Sequence, residues 1–335
     1  MRSLNEGANV NMTMNAVNWN KPEDYVNVFW QQNLAQFWTD EEFPVSDDIG
    51  DWQALTEPER RAYKRVLAGL TGLDTQQGGE GMPLIAIHTE DLRKRAVLTF
   101  MAMMEQIHAK SYSTIFTTLT TAEDTRYLLE DWAPNQRNLV YKAQRIGDYY
   151  RKLLRPNASL YDVYMACVAS VFLESYLFYS GFYYPLYLTG RGLMTASGEI
   201  IRKILIDESI HGVFVGFIAQ ELRELLTEAE RERAAEETDI LLADLHANEA
   251  EYTREIYGEI GLVDDVLRFV EYNANKALMN LGLDAAFSPA PFSAIVENGL
   301  STSTQHHDFF SKKGDGYVIA LNSDPMTDED FVFSS

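Results

Sequence analysis

Two of the six histidines sit three residues after a glutamate, as Glu105-x-x-His108 and Glu208-x-x-His211. On a helix, positions i and i+3 share a face, so each pair can aim a carboxylate and an imidazole at one ion. An acid precedes each pair: Asp74 in VLAGLTGLDTQQ, 31 residues before Glu105, and Glu174 in VYMACVASVFLESYLF, 34 residues before Glu208. The chain therefore carries acid, then Glu-x-x-His, twice. Each acid interrupts an otherwise apolar helix. A buried carboxylate is costly unless paired or bound to a cation, and two of the four segments offer no nearby Lys or Arg.

Four helices presenting this set form the arrangement by which ferritin-like bundles hold two iron or manganese ions. Oxygen ligands with one imidazole per metal suit those ions better than zinc or copper. Tyr112 follows His108 by four residues, on the same face and one turn away, so its phenol is expected near the metal without being a ligand. Phe178 and Phe182 follow Glu174 by four and eight residues, and Ile204 precedes Glu208 by four. Geometry puts all three on metal-facing stripes, where they can wall a dry pocket. By spacing alone, a Tyr or Phe at such positions is ordinary core filling.

The elements that must position these residues are helical. Apolar residues recur at three- and four-residue intervals through 24–37, 57–76, 90–118, 136–154, 159–182, 197–226, 227–258 and 263–281, and alternating runs are scarce. Thr56 with Glu59 and Thr227 with Glu230 have the spacing of a capping box. Helix stops are expected at Gly190, Gly258 and Gly282. Residues 227–258 are charge-rich and read as a solvated outer layer. After Asp284 the texture turns to Pro, Gly and Ser punctuation without a helical period. The expected organisation is a flexible extension over 1–15, one all-α bundle over 16–284, and a tail over 285–335 whose end is mobile.

Composition narrows the function. The 335 residues are 46% hydrophobic, ample for a packed core. The formal net charge of −22 repels phosphate backbones and argues against nucleic-acid binding. The single cysteine, Cys167, excludes an internal disulfide, a Cys-x-x-Cys pair and a thiolate metal cage. Residues 163–190 carry one charge, Glu174, and are long enough to span a bilayer. Glu174, Pro185 and the tyrosines along that segment mark it instead as a buried core helix, with no membrane involved. The N-terminus does not read as a signal peptide.

The segments MMEQIHAKSY, FLESYLFYSGFYYPLY and ILIDESIHG together resemble the radical-generating small subunit of class I ribonucleotide reductase. The start AVNWNKPEDYVNVFWQQNLAQFWTDEEFPVSDD and the tail motif HHDFFSKKGDGY resemble class Ib in particular, so the likeness spans residues 16–333. It implies that Asp74, Glu105 and His108 bind one metal and that Glu174, Glu208 and His211 bind the other. The cofactor would be dinuclear manganese or dinuclear iron. Tyr112 takes the radical position, and Phe178, Phe182 and Ile204 match its protective pocket. Trp38, in QFWTDEEFP, resembles the buried relay tryptophan, with Asp207 linking it to His108. Tyr317, in KKGDGYVIA, resembles the tail tyrosine that passes the oxidation across the subunit interface. Some relatives replace the radical tyrosine or three of the glutamates; this chain keeps Tyr112, Glu105, Glu174 and Glu208.

The chemistry requires partners. Replacing a ribose 2′-hydroxyl by hydrogen begins with a radical, and one cysteine cannot supply both a thiyl radical and a reducing dithiol. A large catalytic subunit is therefore expected, together with a homodimer and, for manganese, a flavodoxin-like activator. The final DEDFVF mixes acids with Phe331 and Phe333, as suits a peptide that docks in a partner's groove. The expected location is the cytoplasm. Two other readings share the scaffold: a di-iron oxygenase, which would open its pocket to substrate, and a ferritin-like store, which would tolerate loss of Tyr112.

Overall fold

The computed structural model describes residues 15–20 and 24–301. Tyr317, Phe331, Phe333 and residues 1–14 lie outside the described residues. Helix α1 (Tyr25–Ala35) starts on Asp24, whose side chain accepts from the Val26 and Asn27 amides. A short α2 (Ile49–Ala54) leads to α3 (Glu57–Gln76), a π-helical turn (Gln77–Gly81) and α4 (Met82–Ile87). Next come α5 (Leu92–Leu119), α6 (Ala122–Arg126), a π-helical turn (Tyr127–Trp132), α7 (Ala133–Asn135) and α8 (Arg137–Lys152). Helix α9 (Leu160–Phe172) passes through a third π-helical turn (Leu173–Leu177) into α10 (Tyr179–Gly190). The long α11 (Thr195–Leu225) and α12 (Glu228–Tyr257) precede α13 (Val263–Asn280) and α14 (Ala294–Ser301). No strand occurs among the described residues.

Local signals explain most boundaries. The Thr227 amide donates to Glu230 Oε2 at 2.9 Å while the Glu230 amide donates to Thr227 Oγ1 at 3.3 Å, closing the box that starts α12. The Thr56 amide likewise donates to Glu59 at 2.8 Å at the start of α3. The helices stop at or beside the three expected glycines: α10 ends at Gly190, α12 is capped by Gly258, and α13 ends two residues before Gly282. Among the described glycines the left-handed backbone falls on Gly192 and Gly261, two or three positions beyond the first two stops, and on Gly282 itself at φ 69°. Helix α11 starts after Met194, a left-handed non-glycine residue at φ 54°. Asp48 secures that start by accepting from the Ala196 and Ser197 amides at 2.9 and 2.7 Å.

The core is one cluster of apolar and aromatic side chains in which α3 packs on α5, α9 on α11, and α10 on both α3 and α11. Leu160–Gly190 is apolar enough to cross a membrane, yet its most apolar window is wholly buried among the other helices. Helix α12 buries one face, including Leu241, Leu245 and Tyr252, and turns its charged residues outward except Glu249, which is buried. The tail departs from expectation. Residues 294–301 form a helix where no helical period was read, because Val296 is buried and the segment packs against α10.

Candidate metal centre

Four helical segments converge on six polar side chains. Asp74 comes from the last turn of α3, Glu105 and His108 from the middle of α5, Glu174 from the π-helical turn after α9, and Glu208 and His211 from α11. All six are fully buried. The Leu173–Leu177 turn carries one residue more than an α-turn, and such bulges recur at functional sites. The spacing pattern in the sequence identified these six residues, and the structure brings all of them together.

Their ligand atoms form two groups. Asp74, Glu105, His108 and Glu208 have ligand atoms within 4.8 Å of one another, as do Glu105, Glu174, Glu208 and His211. Glu105 and Glu208 therefore belong to both groups, whereas the resemblance placed each with one metal only. His108 Nδ1 lies 2.9 Å from Glu208 Oε1 and 3.4 Å from Asp74 Oδ1. His211 Nδ1 lies 2.7 Å from Glu105 Oε1 and 3.5 Å from Glu174 Oε2. The two imidazole rings are stacked with centroids 6.0 Å apart.

Electrostatics makes this a cation site. Both Asp74 oxygens, both Glu208 oxygens, Glu105 Oε2, Glu174 Oε2 and His108 Nδ1 are buried without a hydrogen-bond partner. No Lys or Arg pairs with any of the four carboxylates among the described ion pairs. Burial, with repulsion from the neighbouring glutamates, pushes the Asp74 and Glu174 carboxyls well above the usual range. Burial opposes charging of His108 and His211, yet the surrounding carboxylates push both well up. The neighbouring Glu174, His108 and His211 outweigh burial and hold Glu208 low. The cluster thus calls for positive charge. Four carboxylates balance two divalent cations, and the orphaned oxygens with one imidazole per group match iron or manganese.

The neighbouring residues are arranged around His108. Asp207 Oδ2 accepts from Trp38 Nε1 at 2.7 Å and lies 3.0 Å from His108 Nε2, while Asp207 Oδ1 accepts from Gln36 Nε2 at 2.7 Å. A proton on Nε2 leaves the Nδ1 lone pair facing the carboxylates, the tautomer a metal requires. Trp38, fully buried, stacks on His108 at 5.9 Å with 16° between ring planes. Tyr112 is fully buried, and its hydroxyl has no hydrogen-bond partner. Burial, then the charges of Asp74, Glu208 and Glu105, raises the Tyr112 phenol well above its usual value. Phe178, Phe182 and Ile204 are also fully buried, the two phenyl rings 6.1 Å apart.

Sequence reasoning missed Gln36 and Gln77. Gln77 is fully buried and donates from Nε2 to Glu174 Oε1, and its Oε1 accepts from the Tyr150 hydroxyl at 2.6 Å. Its available signal was a polar residue at i+3 from Asp74, just past the end of α3 and near the face that already carried a candidate ligand.

Comparison with known proteins agrees with this geometry. Residues 16–291 match the family model described as ribonucleotide reductase, small chain. The chain is 48% identical over 320 residues to the ribonucleoside-diphosphate reductase subunit beta of Bacillus subtilis, covering 95% of this chain and 96% of the relative. It is 40% identical over 326 residues to subunit beta nrdF1 of Mycobacterium tuberculosis, covering 96% of this chain and 98% of that one. Among solved structures, the dimanganese(II)-NrdF of Streptococcus sanguinis superposes with a TM-score of 0.81 at 38% identity, covering 86% of this chain and 100% of that chain. The helical fold is accordingly the ferritin-like bundle of these proteins. With the family model matching most of its length, the chain belongs to the ribonucleotide reductase small-chain family, as a class Ib beta subunit of ribonucleoside-diphosphate reductase.

Proposed function

We propose that this subunit holds a dinuclear manganese or iron centre, uses it to generate a tyrosyl radical on Tyr112, and passes that oxidation to a large catalytic subunit. The observation that carries the reading is the pair of buried ligand groups sharing Glu105 and Glu208, one turn of α5 away from a buried phenol. Asp74, Glu105, His108 and Glu208 would hold one ion, and Glu105, Glu174, Glu208 and His211 the other. When bound and oxidised, the pair supplies the one-electron oxidising power that no protein side chain offers.

The rest follows from the chain's own residues. The raised phenol of Tyr112 keeps its proton at neutral pH, so an electron lost to the oxidised pair would be accompanied by the hydroxyl proton, passed to the adjacent cluster of Asp74, Glu208 and Glu105. The product is a neutral radical, which burial disfavours far less than a phenolate. Full burial keeps water and reductants from Tyr112 Oη, and we assign Phe178, Phe182 and Ile204 to that exclusion. Trp38, Asp207 and His108 form the outward relay. Asp207 fixes the indole N–H and the His108 Nε2 proton on one oxygen, so a proton at either nitrogen has an acceptor when the indole is oxidised.

Tyr317 continues the route to the partner, and Phe331 and Phe333 anchor the tail in its groove. A second copy of this chain fits the face where α1, the residues just after it and α5 leave Leu34, Phe37 and Met103 exposed beside Trp30 and Phe100. A flavodoxin-like protein serves as activator for manganese. Reconstitution with Fe(II) and oxygen, or Mn(II) and activator, followed by addition of the large subunit, tests the reading. Nucleoside diphosphate reduction is expected for the wild type and absent for Tyr112→Phe and Trp38→Phe; undiminished turnover in either variant would overturn it.

A further inference from the structure

Among the four carboxylates of the centre, Glu174 differs in having one oxygen committed to a neutral donor. Gln77 Nε2 donates to Glu174 Oε1 and, at 2.8 Å, to Ser170 Oγ. The other end of the amide is taken: Gln77 Oε1 accepts from the Tyr150 hydroxyl at 2.6 Å. Gln77, Tyr150, Ser170 and Glu174 are each fully buried, so water cannot substitute for any of these partners. Burial, with the nearby Glu174 charge, pushes the Tyr150 phenol well up, which keeps it a donor. With Glu174 ionised, as a metal ligand must be, its oxygens can only accept, and this phenol donates, so the amide then has one permitted orientation. Glu174 Oε2 is left without a hydrogen-bond partner, 3.5 Å from His211 Nδ1.

The local backbone is built for this contact. Gln77 opens one π-helical turn and Glu174 lies in another, so both strands of the contact leave ordinary α geometry where they meet. Gly81 closes the first turn, and a Cβ there would overlap both Gln77 Oε1 and the Tyr150 ring. Asp74 and Glu208 have no comparable support: both oxygens of each lack a hydrogen-bond partner.

We infer that Tyr150 and Gln77 form a fixed support that holds Glu174 as a one-oxygen ligand and thereby sets the metal affinity of the His211 half of the centre. This rests on the dinuclear reading above. Tyr150 and Gln77 are positioning residues: they act through Glu174 and touch no metal themselves.

Titration of the apoprotein with Mn(II), following free Mn(II) by its electron paramagnetic resonance signal, tests the inference without any turnover. Wild type is expected to take two ions. Gln77→Leu should weaken one of them roughly 10- to 100-fold, the usual effect of removing a ligand's outer partner, while the other stays within about threefold. The weakened ion should be the one that His211→Ala removes. Tyr150→Phe keeps the ring and frees the amide, so it should weaken the same ion about three- to tenfold. The double variant should be no worse than Gln77→Leu alone, because the two residues act in series. If Gln77→Leu fails to fold, by loss of helical circular dichroism, Tyr150→Phe carries the test. Equal weakening of both ions, weakening confined to the His108 half, unchanged affinities, or additive losses would each overturn the inference. A wild type that binds fewer than two ions would instead overturn the dinuclear reading.

Discussion

Replacing Asp207 should separate the stability of the centre's surroundings from its ability to move an electron. Its carboxylate serves three donors: Gln36 Nε2 on one oxygen, Trp38 Nε1 and His108 Nε2 on the other. Asp207→Ala strands the indole and imidazole donors in a site that is 0% exposed at both Trp38 and His108, whereas the half-buried Gln36 can turn to water. At about 1–3 kcal/mol for each stranded buried donor, the alanine variant should lose about 2–6 kcal/mol. Asp207→Asn keeps a carbonyl acceptor for the same two donors and loses only the charge assistance. A charged partner is worth about twice a neutral one, so its cost should be about 1–3 kcal/mol. Urea unfolding of the apoproteins at one protein concentration measures both. The asparagine variant should still form the Tyr112 radical, because the ligand set is untouched. Nucleotide reduction should nevertheless fall at least about tenfold, since a side-chain amide cannot take a proton where the carboxylate could. Equal destabilisation by Ala and Asn, or reduction at the wild-type rate in Asp207→Asn, would refute this view of Asp207.

Other consequences follow from the same structure. Cys167 is fully buried and its thiol is pushed up to about 12 by burial, so at pH 8 maleimide should leave the native protein unmodified and label it stoichiometrically in urea; rapid native labelling would contradict that environment. Lys142 is almost wholly buried, pairs with Glu249 at 2.5 Å and sits 4.1 Å over the Tyr252 ring. Lys142→Met should cost about 3–5 kcal/mol by leaving Glu249 uncompensated, and adding Glu249→Leu should recover most of it in the same urea assay. Deleting residues 316–335 should leave the radical intact and abolish nucleotide reduction; unchanged turnover would remove the tail from the route.

The candidate ligands were legible because burying a charge in an apolar helix leaves a mark that periodicity exposes. Asp74 and Glu174 each break an apolar run, and the two Glu-x-x-His pairs state their own helix face. What spacing could not state is that Glu105 and Glu208 face both groups, since that depends on how α5 and α11 approach each other. The π-helical turns at Gln77–Gly81 and Leu173–Leu177 were equally hidden, because one extra residue in a turn changes no composition and barely shifts the apolar pattern. Gln36 carried no signal and Gln77 only its i+3 spacing from Asp74; their contacts with Asp207 and Glu174 are what set them apart. Helix boundaries followed both their capping boxes and their glycines, because each is a local signal; which glycine then takes positive φ was not legible, since that is settled by the path of the following loop. Ala294–Ser301 was missed because its helix forms against α10 rather than from its own propensity.

The most direct measurement is electron paramagnetic resonance of the wild type and Tyr112→Phe after loading with Mn(II) plus activator, or with Fe(II) plus oxygen. A tyrosyl signal should appear in the wild type and vanish in Tyr112→Phe at equal metal content. Two bound ions per chain with no Tyr112-dependent signal under either regime would contradict a centre built to oxidise that phenol.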